Sequence, residues 1–95
     1  MLPDVCVFLR PSPAEEVFSS PPLIWIEILS PKDRPLRVNE KVRQVLEFGV
    51  PNVWVIDPET RRGWDCSTGN WIETADFRLA PVYMNLAEVL AELEA

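Results

Sequence analysis

Residues 23–29 read Leu-Ile-Trp-Ile-Glu-Ile-Leu, a run that is apolar on both of its alternating faces with one carboxylate set into it. Its β-branched and aromatic residues, bounded by Pro22 and by Ser30-Pro31, predict a strand. Ile24, Ile26 and Ile28 share one face, and Trp25 and Leu29 share the other with Glu27. A strand apolar on both sides is normally covered on both sides. The rest of the chain must therefore supply two covering layers. Glu27 must also find a proton, a metal or a partner, because an isolated buried charge costs many kcal/mol.

The flanking segments supply those layers. Val5 to Leu9 reads as a short strand, and Arg10 to Pro22 as a proline- and serine-rich loop. Val38 to Phe48 reads as a helix, since Val38, Val42, Val45 and Leu46 fall on one face. Gly49 suits the position just past its end, and Pro51 stops it. Val53 to Ile56 predicts a third strand, paired parallel to the Glu27 strand through the helical crossover. Thr60 to Gly63 reads as a turn. Trp64 to Ser67 and Trp71 to Thr74 read as a hairpin around Thr68-Gly69-Asn70. Leu86 to Leu93 is a final amphipathic helix that Asn85 can cap, with Glu88 three residues on. The expected architecture is α/β: one domain over 1–95, a small mixed β-sheet with flanking helices, in the order strand-strand-helix-strand-hairpin-helix.

Composition narrows the chemistry. The 95 residues include no histidine, which excludes Ser-His-Asp hydrolysis, Cys-His proteolysis and His-bound zinc. Two cysteines, Cys6 and Cys66, are too few for a disulfide framework and read as small apolar fillers. No apolar run reaches the length of a membrane span, and no signal peptide opens the chain, so the cytoplasm is the expected compartment. The net charge of −6 does not draw nucleic acid to the molecule as a whole. The charge is uneven, however: five basic and two acidic residues lie between Lys32 and Arg43. Such a strip can meet a phosphate backbone or serve simply as a solvated helix face.

Lys41 is a second residue out of place. At about 100° per residue, it falls inside the apolar arc of its helix, between Phe48 and Val45, and faces the core. Asp4 opens the strand expected beside that of Glu27. Two carboxylates on neighbouring strands and a lysine on the next helix form a set that suits a hard divalent cation and phosphodiester chemistry. A structural ion pair between Glu27 and Lys41, with Asp4 as a turn residue, accounts for the same pattern. The two readings differ in one respect. A self-repelling carboxylate cluster predicts that Glu27→Gln is at least as stable as wild type without metal. A structural pair predicts a large loss.

Three segments in order, LPDVCVF, LIWIEILSP and NEKVRQVLEFGVPNVWVIDP, resemble the Uma-type restriction-endonuclease-like family of bacteria, within the PD-(D/E)XK nuclease superfamily. The resemblance covers nearly the whole chain. It implies a restriction-endonuclease-like core and a Mg²⁺- or Mn²⁺-dependent endonuclease acting on DNA. It implies Asp4 and Glu27 as metal ligands with the backbone carbonyl of Ile28, and Asp4, Glu27 and Lys41 as the catalytic set. The superfamily's usual lysine position is Leu29 here, and Lys41 matches a lysine moved to the following helix. Asp57 matches a recurrent residue that we read as a turn former. Arg34, Arg37 and Arg43 could meet the nucleic-acid backbone. Arg37 and Val45 stand where the family commonly has Asp and Tyr. The family's usual elements before the Pro-Asp strand do not precede it in this sequence, which leaves either a natural short form or a truncated start. A nuclease fold without catalysis, serving as a self-associating or protein-binding module, is the alternative. An uncovered sheet edge would favour a dimer, and Trp64 and Trp71 on an exposed hairpin could anchor a partner.

Overall fold

The computed structural model describes residues 5–7, 21–79 and 82–94. Five strands form one mixed sheet in chain order: β1 (Val5–Val7), β2 (Ile24–Ile28), β3 (Asn52–Asp57), β4 (Arg62–Asp65) and β5 (Ile72–Glu73). The β2–β3 pair is parallel, and the other three pairs are antiparallel. Helix α1 (Pro35–Glu47) makes the crossover from β2 to β3. A separate hairpin, β6 (Asp76–Leu79) and β7 (Val82–Asn85), leads into helix α2 (Leu86–Glu94). The predicted loop over residues 10–22 lies outside the described residues except at its end.

The two apolar faces of β2 are covered as its sequence demands. Ile24 and Ile26 join Trp54 and Ile56 of β3, Phe77 of β6, and Leu86 and Leu90 of α2 in one cluster. Trp25 joins Val53 and Val55, Val42 and Val45 of α1, and Val50 and Cys66 in the other. Alternate residues of the same two strands thus feed opposite layers.

Helix α1 starts a turn earlier than its apolar spacing predicts, with Pro35 in its first turn. Proline is favoured there because its missing N–H has no helical partner to lose. The other end closes on Gly49, at φ 103°. The Gly49 N–H donates to the Leu46 carbonyl at 3.0 Å, and the Val50 N–H to the Val45 carbonyl at 3.4 Å. This doubled closure accompanies an apolar contact across it, and Val45 and Val50 lie in one cluster.

Two local readings are corrected. The turn after β3 spans Pro58 to Arg61 rather than Thr60 to Gly63, and Arg61 takes φ 60°. Asp57 organises it: its carboxylate accepts from the Glu59 N–H at 3.0 Å and from the Thr60 hydroxyl at 2.9 Å. Strand β4 therefore begins at Arg62. It ends at Asp65, whose carboxylate accepts from the Ser67 N–H and hydroxyl and bends the chain. The β6–β7 hairpin lies in a stretch to which the sequence reading assigned no element. Asn85 caps α2 as expected, accepting from the Glu88 N–H at 3.3 Å.

Candidate active site

Glu27 sits opposite Val55 of β3 on β2, a strand paired with β1 on one side and β3 on the other. Its side chain leaves the sheet on the Trp25 face, towards α1. The residue is only 6% exposed. Lys41, on the second turn of α1, reaches down to it: Nζ lies 3.0 Å from Oε1 and donates to Oε2 at 3.1 Å. The lysine side chain remains 37% exposed, against 9% for the glutamate. The pair therefore has one nearly dry end and one partly solvated end.

A third member was not read from the sequence. The Trp25 indole N–H donates to Oε1 of Glu27 at 2.8 Å. The sign was available, since Trp25 lies two residues before the acid on the same strand face. A buried indole N–H requires an acceptor. Ile28, the carbonyl implied as a metal ligand, closes β2 opposite Ile56. Asp4 lies outside the described residues.

The donor chemistry suits a hard cation. A carboxylate offers about four lone-pair sites. Trp25 takes one, and Lys41 meets both oxygens. A lone pair is left on Glu27, and Lys41 has solvent to retreat into. Among the described residues, no three acidic or sulfur side chains form a metal cluster.

Other candidates hold different roles. Asp57 is engaged in its own turn. Arg34, Arg37 and Arg43 are exposed along α1. Trp64 and Trp71 are half-buried and meet edge to face at 5.6 Å, packed on the α1-side cluster rather than standing free on the hairpin. The Trp71 indole donates to Asn39 of α1 at 3.3 Å. Both tryptophans line a hollow of about 410 Å³ beyond the carboxyl ends of β2 and β3. Neither Glu27 nor Lys41 borders it, so the pairing chemistry lies away from that hollow. Cys66 is fully buried, and burial, helped by the charge of Asp65, pushes its thiol up to about 12. It cannot act as a nucleophile near neutral pH.

Residues 1–86 match the model of the family described as "Uma2: Putative restriction endonuclease". The chain belongs to the Uma2 family. Among solved structures, this Uma2 chain is similar to one titled a putative nuclease belonging to DUF820 from Anabaena variabilis ATCC 29413. The two share 20% identity with a TM-score of 0.74, over 98% of this chain and 61% of that one. At that identity the likeness concerns the fold alone. The chain spans about three-fifths of that structure's length. No curated protein matches it. No described helix is long and apolar enough to cross a membrane.

Proposed function

We propose that this Uma2-family chain is a Mg²⁺-dependent nuclease, with Mn²⁺ as a substitute, that hydrolyses phosphodiester bonds of DNA. The observation that carries the reading is the nearly buried Glu27 carboxylate met by a lysine with a partly exposed stem. Glu27, the Ile28 carbonyl and Asp4 would hold the ion. Asp4 is the residue before Val5, which pairs with Ile26, itself the residue before Glu27. A divalent ion supplies an acidified water and a charge that polarises the phosphoryl group. Lys41, freed from Glu27, would neutralise negative charge developing on the phosphate.

Arg37 and Lys41, four residues apart, share one stripe of α1, and Arg34 immediately precedes that helix. That stripe is a basic track on an acidic molecule, and it suits a phosphate backbone. The family's description as restriction endonucleases favours DNA as the polymer.

Glu27→Gln tests the ion site. Mg²⁺ should raise the melting temperature of wild type and leave that of the variant unchanged. Wild type should nick supercoiled plasmid with Mg²⁺ or Mn²⁺, and Lys41→Ala should not. A wild-type protein indifferent to both metals in the melt, and inert on plasmid, would refute the reading.

A further inference from the structure

Among the described residues, Glu27 has two donors of opposite character. Lys41 is charged, long and partly in water. The Trp25 indole is neutral, and the residue is fully buried. Trp25 is wedged in a cluster with Val42, Val45, Val53 and Val55, and its backbone pairs with Cys6 on one side and Val53 on the other. Its N–H has little freedom to turn, and a buried donor left without an acceptor costs about 1–3 kcal/mol.

These facts have a directional consequence. Rotating the Glu27 carboxylate to exchange its oxygens would break the 2.8 Å bond from Trp25. Oε1 is therefore held. Among the described residues, Oε2 accepts only from Lys41, a group able to move to solvent. An arriving cation repels the ammonium of Lys41 but not the neutral indole, so only one of the two donors has to leave.

We infer that Trp25 is a positioning residue for Glu27: its indole N–H pins Oε1 and leaves Oε2 as the single oxygen presented to a divalent cation. This rests on the proposed metal site, and it adds a residue, and a one-oxygen mode of ligation, to that site.

The test compares wild type with Trp25→Phe, which keeps an aromatic ring and deletes the N–H. Mg²⁺ is titrated while melting temperature and the indole NMR resonances are followed. The Trp25 resonance is the one missing from the variant. In wild type it should move with Mg²⁺ at the same midpoint as the thermal stabilisation. In Trp25→Phe the Mg²⁺ affinity should fall by about tenfold, the lower end of what partners of metal ligands contribute. A purely structural tryptophan would lower the metal-free melting temperature and leave the Mg²⁺ midpoint in place. If wild type binds Mg²⁺ and the variant binds it equally well, the positioning role is overturned and the metal site stands. If wild type does not respond to Mg²⁺, both fall. Should Trp25→Phe not fold, replacing the indole N–H of Trp25 by sulfur in a chain ligated from synthetic segments deletes the donor at constant ring size. The same titration then decides the matter.

Discussion

Glu27 and Lys41 do not share the burden of their pairing equally. Removing the acid leaves an ammonium that can turn to water, and Gln can still accept from Trp25. Removing the amine leaves a carboxylate 6% exposed with one neutral donor. Glu27→Gln should therefore cost about 1 kcal/mol without metal, close to the net worth of a hydrogen bond. Lys41→Met, which keeps the apolar stem, should cost about 2–4 kcal/mol, since stranding one partner of a buried pair is the expensive direction. Urea unfolding of both variants measures the difference, and equal losses would contradict this asymmetry. The expected cost of Glu27→Gln lies between the two limits the sequence allowed, because each limit ignored Trp25. Both charged residues were legible from sequence for one reason: each interrupts an apolar surface, Glu27 in a two-sided strand and Lys41 in a helical arc. Trp25 was not, because a tryptophan in an apolar strand looks like core until its N–H is accounted for.

Among the elements, β2 and β3 were readable as short apolar runs bounded by turn residues, and α1 and α2 by the helical spacing of their apolar residues. The hairpin β6–β7 was missed although Phe77 and Leu79, then Val82 and Met84, alternate as a strand pair should. Its strands are only four residues each, and much of its cohesion is polar. The Asp76 carboxylate accepts from the Tyr83 hydroxyl at 2.8 Å and from the Asn85 amide at 3.2 Å. Those bonds, led by that from Tyr83, hold the Asp76 carboxyl below its ordinary 3.8. A depressed carboxyl contributes stability above its unfolded value and loses it as pH falls through the folded one. Asp76→Asn should thus flatten the acid limb of the stability curve below about pH 4, where unfolded Asp titrates, and hardly alter its slope near neutrality. Melting temperatures from pH 2 to 7 check this. An acid limb as steep as that of wild type would remove Asp76 from the account.

At the scale of the whole molecule, the sheet needs both of its covers. The family match stops at residue 86, where α2 begins, yet Leu86 and Leu90 close the cluster over Ile24, Ile26, Trp54 and Ile56. Full burial of two leucines is worth about 3–6 kcal/mol, against a total of about 5–14 kcal/mol for a domain of this size. A chain stopped after Asn85 should lose its cooperative melting transition and bind a hydrophobic dye. A sharp transition in that truncated chain would show that α2 is dispensable. The double covering could be deduced from β2, and the α/β class from the strand–helix–strand order that includes it. The exact strand limits could not, because Asp57 and Asp65 set them through side-chain bonds to the backbone.

The five strands of the main sheet lie side by side in the order in which they occur along the chain. Each can therefore be added to a free margin of those already laid down, and none has to be threaded between two that are joined. A polypeptide emerging from the ribosome could build this sheet by accretion, with the carboxylate strand in place before the lysine helix and the third strand arrive to cover it.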